Sequence, residues 1–197
     1  MDKFQNKYRL QSARQQKWDY RSVGAYFITI CTHGRECYFG KITNGKMKLS
    51  EVGILADVFW YEIKNHEKNV NLGEFVVMPN HIHGILVLTT DYREPPIVET
   101  LHATSLPQPQ LQPQPFKNEF MANISPKSGS VSTIIRSYKS VITKHAHRLG
   151  FAMEWQERFH DHIIRDGDEY QRISKYISNN PQNWKKDNFF IEDNFFL

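Results

Sequence analysis

Two histidines separated by one residue form the first group in the sequence whose spacing could support chemistry. His81 and His83 stand at the start of an apolar run that ends at Leu88. Successive side chains of a strand point to opposite faces, so both imidazoles should lie on one face and Ile82 on the other. Such a pair can chelate a metal ion. The alternative is one histidine in the core and one on the surface, because so short a motif also occurs by chance.

A tyrosine and an asparagine near the C-terminus form a second candidate group. Asp166 and Glu169 have the spacing of a capping box, which predicts the start of a helix. This helix should end at Asn180, because a proline follows. Tyr176 and Asn180 are four residues apart and should be neighbours on one helix face. A phenol needs help from a metal, a base or positive charge to act as a nucleophile at neutral pH.

Together the two groups would make one site for phosphate chemistry. Two imidazoles and one carboxamide oxygen give three ligands with open positions, which suits Mg²⁺ or Mn²⁺ that also accepts a phosphate oxygen. No cysteine or carboxylate in the pattern completes the tetrahedron of a structural zinc site. Beside a metal-polarised phosphate, Tyr176 could form a phosphotyrosine bond that conserves the energy of a broken DNA strand.

Strands and helices must alternate to position these residues. The segment AYFITICT, residues 25–32, predicts a strand, and Asn44-Gly45 predicts the tight turn of a hairpin. Ser50 is the expected N-cap of a helix that continues to about Glu67. Its expected buried stripe is Val52, Leu55, Phe59 and Ile63. Two strands follow, and the second carries the histidine pair. This order of elements predicts an α+β fold.

The helix expected at residues 130–149 has an apolar stripe and a basic outer side. The stripe consists of Ile135, Tyr138, Ile142, His145 and Leu149. The basic residues off the stripe are Arg136, Lys139, Lys144 and Arg148. No acidic residue occurs between Glu119 and Glu154, which favours contact with a phosphate backbone. Arg172, on the polar side of the last helix, belongs to the same expected DNA-binding set.

The formal net charge is concentrated in a basic N-terminal arm. Residues 1–21 hold six basic residues against two acidic ones, so the arm accounts for the whole formal charge of +4. Its aromatic residues suit base stacking beside phosphate contacts. The arm residues expected to contact DNA are Lys7, Arg9, Arg14 and Lys17. The alternative is a solvated terminus without a fixed structure.

Two further groups have competing interpretations. Tyr138 has basic neighbours that could activate it, but its place on the apolar stripe favours packing. His160 and His162 form a second pair at the same spacing. Their apolar neighbours favour packing or DNA contact over metal ligation.

Length and composition predict one domain over residues 1–197, with 40% hydrophobic residues to form its core. Residues 91–129 contain a Pro/Gln-rich stretch and are expected to form an exposed insert. No segment is long and apolar enough to span a bilayer, and no signal peptide is evident, so a cytoplasmic location is expected. Cys31 and Cys37 are too few for a disulfide framework.

Three motifs in order resemble those of the REP-associated tyrosine transposases, a branch of the single-tyrosine HUH transposases. They are MPNHIHGILV, WQxRFxDHIIR and YISNNPxxWxxD. RLQSARQQKWDY and YFITICTHGRECYFG are also similar, so the resemblance covers nearly the whole chain except the insert. It implies His81, His83 and Asn180 as metal ligands and Tyr176 as the nucleophile. Asn180 stands where the wider superfamily has Gln.

The resemblance also implies a fold and a reaction. The family fold is an antiparallel sheet with packed helices, similar to ferredoxin-like and RNA-recognition folds. The implied activity is Mg²⁺- or Mn²⁺-dependent cleavage and rejoining of single-stranded, hairpin-forming DNA such as REP-like palindromes. Tyr176 would form a 5′-phosphotyrosine and leave a free 3′-OH, in a monomer or a homodimer. The alternative is a nucleic-acid-binding module of the same fold without catalysis.

Overall fold

The computed structural model describes residues 19–89 and 128–191, together with two short strands near the N-terminus. These are β1 (Lys3–Phe4) and β2 (Lys7–Tyr8), which pair antiparallel. The expected insert, apart from its last two residues, lies outside the described residues. So do the side chains of the four arm residues predicted to contact DNA, Lys7, Arg9, Arg14 and Lys17.

A four-stranded antiparallel sheet forms the centre of the fold. The strands of the main body are β3 (Gly24–Cys31), β4 (Gly40–Thr43), β5 (Lys46–Leu49), β6 (Val70–Val77), β7 (His81–Leu88) and β8 (His160–Ile164). The sheet has the order β6-β7-β3-β8, and β4 and β5 form a separate hairpin. The hairpin turns at Asn44 and Gly45, whose φ values of 53° and 71° confirm the predicted tight turn. The first long strand therefore lies between the histidine strand and the last strand.

Three helices pack on the sheet, and each begins where the sequence places a capping residue. They are α1 (Glu51–His66), α2 (Val131–Arg148) and α3 (Gly167–Asn179). The side chains of Ser50, Ser130 and Asp166 each accept a hydrogen bond from the backbone N–H three residues ahead. The predicted α+β fold is confirmed. None of the described helices combines the length and the apolar character needed to cross a bilayer.

Alternation along the central strands divides the core into two layers. Ile28 and Ile82 belong to the large apolar cluster under α1 and α2. Ile85 belongs to a smaller cluster on the opposite face, with Ile173 and Ile177 of α3. Because the two histidines of β7 alternate with Ile82, they share the face that α3 covers.

The buried face of α1 differs from the predicted stripe. Ala56 and Trp60 are fully buried, whereas Leu55 and Phe59 are only partly buried. Trp60 stacks on Phe75 of β6, with ring centroids 4.5 Å apart. Helical spacing fits either set of positions, and the contact of the indole with the sheet decides between them.

α2 is anchored to α1 by a buried tyrosine. The Tyr138 hydroxyl donates to the Ala56 carbonyl over 2.7 Å, and burial raises the pKa of Tyr138 well above its usual value. The packing interpretation of Tyr138 is therefore confirmed. The prediction that Leu149 continues the buried stripe was wrong. Leu149 is 60% exposed because it is the C-cap, where the chain has already left the helical path.

Gly84 of β7 lies against the Trp60 ring, and a Cβ added there would overlap the indole. We expect Gly84→Ala to lower the free energy of unfolding by about 1–3 kcal/mol, since overpacking displaces the ring. Urea denaturation measures this loss. Gly167→Ala, which meets nothing within 4 Å, is the matched control and should not destabilise. Equal stability of the two variants would contradict the packing of α1 on β7.

Candidate metal and tyrosine site

The histidine pair is buried beneath α3. The ring centroids of His81 and His83 lie 4.5 Å apart, and the two residues are 0% and 2% exposed. Burial, with the nearby Arg35 guanidinium, lowers the pKa of His81 to about 3. Burial and the neighbouring His81 lower the pKa of His83 to about 3 as well. Both imidazoles are therefore neutral at pH 7, the form that ligates metals.

The hydrogen bonds of His81 leave one ring nitrogen bare. The Asn80 amide nitrogen donates to the Phe189 carbonyl over 2.9 Å, so its Oδ1 faces the imidazole as an acceptor. Nδ1 of His81 lies 2.9 Å from that oxygen and donates to it. Nε2 then carries a lone pair, and it is buried without a hydrogen-bond partner. An oriented ring with a bare nitrogen is the arrangement of a metal-ligating histidine.

His83 connects the sheet to the candidate nucleophile. Its Nδ1 lies 2.9 Å from Oγ1 of Thr29, and its Nε2 lies 3.3 Å from the hydroxyl of Tyr176. With the ring proton on Nδ1, Nε2 accepts from the phenol. Tyr176 is 46% exposed, so its ring is open to solvent while its hydroxyl faces the buried pair. The structure therefore brings the predicted nucleophile and the predicted ligands together.

Asn180 joins the same group through a bond that sequence reasoning missed. Its Nδ2 donates to Oδ2 of Asp187 over 3.0 Å, and its Oδ1 is buried without a partner. Ligand atoms of His81, His83 and Asp187 all lie within 4.8 Å of one another. The structure therefore adds a carboxylate, Asp187, to the ligands that the sequence predicted.

A short helical turn explains why this carboxylate reaches the site. α3 ends one residue before the predicted Asn180, which caps it and starts a 3-10 helix (Asn180–Lys186). Trp184 of this turn is buried near His81 at a ring distance of 6.0 Å, and the turn returns Asp187 to the histidines. The available signal was the final Asp of the YISNNPxxWxxD motif. Helical spacing could not identify it, because Asp187 lies beyond Pro181, where the helix was expected to have ended.

The residues after Asp187 cover the histidines. The Phe189 ring lies 4.6 Å from the His81 ring, and its N–H donates to Asp187 Oδ1 over 2.7 Å. Arg35 donates to the Asn188 carbonyl over 3.1 Å and places its guanidinium 5.4 Å from the Phe189 ring. Arg35 therefore brings a cation to the site that sequence reasoning did not identify. Its only signal was its place in the YFITICTHGRECYFG segment.

The predicted DNA-binding residues of the helices lie on two different surfaces. Arg136, Lys144 and Arg148 are exposed on α2, which packs on the sheet face opposite the histidines. Lys139 is half-buried and donates to the Gln156 carbonyl, so it is not part of an open basic face. Arg172 lies on α3, one turn before Tyr176. The α2 residues could contact DNA bound at the candidate site only if that DNA extends around the edge of the sheet.

The second histidine pair has a different environment. Nε2 of His162 lies 2.9 Å from Oε1 of Glu169, whose other oxygen accepts from the Arg165 N–H. This contact ties β8 to the start of α3, a structural role. His160 is exposed and pairs with Thr29 across the sheet. In the described part of the chain, neither belongs to a group of metal-ligating side chains like that of His81 and His83.

Comparison with known proteins places the fold. No family model matches the sequence. The chain is similar in structure to a REP-associated tyrosine transposase solved with a bound REP hairpin, with a TM-score of 0.53 and 18% sequence identity. The match covers 91% of this chain and 76% of that one. At this identity the likeness shows the fold alone, and it confirms the predicted antiparallel sheet with packed helices.

A sequence relative shows the family. A Haemophilus influenzae protein (strain ATCC 51907 / DSM 11121 / KW20 / Rd) described as uncharacterized is 34% identical over 184 residues. The aligned region covers 92% of this chain and 93% of that protein. The chain therefore belongs to the same protein family as this Haemophilus influenzae protein.

Proposed function

We propose that this protein cleaves and rejoins single-stranded, hairpin-forming DNA in a metal-dependent, transposase-like reaction with Tyr176 as the nucleophile. The observation that carries the proposal is the Tyr176 hydroxyl 3.3 Å from Nε2 of His83, beside the metal-ligand atoms of two buried histidines and the half-buried Asp187. The REP hairpin bound to the structurally similar transposase supports the choice of substrate. We also propose that residues 1–197 form one HUH domain with a basic arm at 1–21 and an insert at 91–129.

The donor set fits a divalent cation. Nε2 of His81 and Oδ1 of Asn180 are buried and unpartnered, although a buried polar atom without a partner costs about 1–3 kcal/mol. A cation held by these atoms, His83 and the Asp187 carboxylate would satisfy both. Mixed imidazole and oxygen ligands with one carboxylate suit Mn²⁺ or Mg²⁺. When bound, the ion supplies Lewis-acid polarisation of a phosphate oxygen.

The surroundings of Tyr176 keep the phenol protonated until reaction. Burial, then the Asp187 carboxylate, raise the pKa of Tyr176 above its usual value. Attack by the phenol oxygen forms a phosphorus–oxygen bond and breaks the bond to the 3′ oxygen. The phenol loses its proton, and the 3′ oxygen takes one up. The reverse reaction, by the same or another 3′-OH, rejoins the strand.

Tyr176→Phe removes only the hydroxyl, so folding and hairpin binding should persist while the covalent adduct disappears. A labelled hairpin incubated with Mn²⁺ and resolved by denaturing electrophoresis measures the adduct. Tyr138→Phe is the matched control. It should keep the adduct and lose about 1 kcal/mol of stability with its bond to Ala56. A wild-type protein that binds the hairpin without forming an adduct would favour the non-catalytic binding module.

Asp187→Asn keeps the shape of the side chain but removes its charge. We expect the affinity for Mn²⁺ to fall at least about tenfold, since a charged ligand of the group is lost. The shift of the thermal midpoint with Mn²⁺ concentration reports this affinity. Asp168→Asn, an exposed carboxylate in the first turn of α3, is the control. Equal Mn²⁺ affinity in the two variants would exclude Asp187 from the site.

The histidines make the free energy of unfolding depend on pH. Their pKa is about 3 in the folded protein against 6.5 for the free group, so the unfolded chain binds more protons between these values. In metal-free protein the free energy of unfolding should fall as pH drops below 6.5, by up to about 1.4 kcal/mol per pH unit for each histidine. Urea titrations at pH 4.5 to 7 measure the slope. Replacing both histidines by Gln should flatten it, and an unchanged slope would show that other groups cause it.

A further inference from the structure

An open groove runs beside Tyr176 and reaches the metal group, since Asn180 and Asp187 also line it. Its volume is about 300 Å³, and it follows α3 into the 3-10 helix. Apart from residues of the metal group, the lining consists of cations and carboxamides: Arg172, Lys175, Asn179, Asn183, Lys186 and Asn188. A volume at the lower end of the range for small-ligand sites has room for a nucleotide but not for a duplex.

The charge of this groove favours a phosphate. Three cations line it against a single carboxylate, Asp187, which already bonds to Asn180. Within residues 19–89 and 128–191, the ammonium groups of Lys175 and Lys186 have no hydrogen-bond or ion-pair partner. Arg172 shares Glu169 over 3.3 Å, but its side chain is 74% exposed. Unpaired ammonium groups on one wall attract a strand backbone without distinguishing its bases.

The carboxamides of the groove can form hydrogen bonds to a base, which the cations cannot use to distinguish one base from another. Nδ2 of Asn183 donates to the Asn179 carbonyl over 3.0 Å, which fixes its orientation and leaves its Oδ1 available. The Asn179 side chain lies one turn from Lys175 and also lines the groove. A carboxamide offers a donor and an acceptor together, which is the pattern that matches a base edge.

We propose that this groove binds the unpaired nucleotide next to the scissile phosphate, with Lys175 and Lys186 on its phosphate and Asn179 and Asn183 on its base. The position follows from Tyr176, because the residue that presents its hydroxyl to His83 also lines the groove. The groove therefore selects the base at the cleavage site, separately from hairpin binding by other surfaces. This proposal rests on the strand-transfer function proposed above.

Base selection can be measured without catalysis. A hairpin pool with random bases on both sides of the cleavage position is retained by the protein, and the retained molecules are sequenced. The wild type should enrich one base at one flanking position. The double variant Asn179→Ala/Asn183→Ala should lose about tenfold of that enrichment, as expected for one lost base contact. Enrichment that is absent in the wild type, or unchanged in the variant, overturns the base-reading role.

The lysines provide a second measurement, which can be interpreted even if the asparagine substitutions alter the local structure of the 3-10 helix. Lys175→Gln and Lys186→Gln should each reduce the slope of log affinity against log salt by about 0.7 on a hairpin with a single-stranded flank. A hairpin that ends at the stem should show no change. Lys64→Gln, on α1 in the opposite layer, is the control. Equal slopes for all three variants overturn the phosphate contact.

Different results would overturn the two proposals, strand transfer at Tyr176 and nucleotide binding in the groove. Absence of a wild-type covalent adduct overturns strand transfer at Tyr176, whatever the base selection. An adduct that forms normally, with base enrichment and salt slopes unaffected by the groove variants, overturns the groove assignment alone. Thermal midpoints of the variants close to that of the wild type show that the effects arise in the groove.

Discussion

Every feature of the candidate site depends on the alternation of side chains along β7. His81, His83 and Ile85 face α3, whereas Ile82 and Gly84 face α1 and α2. Gly84 accommodates the Trp60 ring, so the opposite layer fixes the register of this strand. A slip of one residue would place both imidazoles in the large apolar cluster and Ile82 on the face beneath α3. The hydrophobic effect on one face of the sheet thus determines where polar groups stand on the other.

On the sheet face that carries the histidines, buried polar atoms without hydrogen-bond partners lower the stability of the fold. Nε2 of His81 and Oδ1 of Asn180 are buried without partners, while Asn80 and Asp187 hold the opposite sides of these two groups in place. Such an arrangement destabilises a protein unless a ligand completes it. The Phe189 ring covers His81, and its backbone bonds to both Asn80 and Asp187, the residues that orient the donors. Burial keeps both imidazoles neutral and ready to ligate, and Tyr176 stands at the boundary between this interior and an open, positively charged groove.

Local signals in the sequence were reliable where a few neighbouring residues decide the structure. The caps at Ser50 and Asp166, the turn at Asn44-Gly45 and the shared face of the histidines needed no knowledge of distant contacts. The choice of Trp60 over Phe59 for the buried side of α1 depended on the sheet beneath it. Asp187 and Arg35 could not be placed because two separate 3-10 helices, Asn180–Lys186 and His33–Arg35, bring them to the site. The basic face of α2 was recognised as a pattern, but its position relative to the histidines is a property of layer packing.

The account depends most directly on the claim that the buried polar group is a metal site beside Tyr176. Crystals of the protein soaked in Mn²⁺, measured near the manganese absorption edge, would locate the ion by its anomalous signal. We predict one strong peak ligated by His81, His83, Asn180 and Asp187, with the Tyr176 hydroxyl next to it. A map with no peak there, or with manganese bound only at exposed carboxylates elsewhere, would contradict the account.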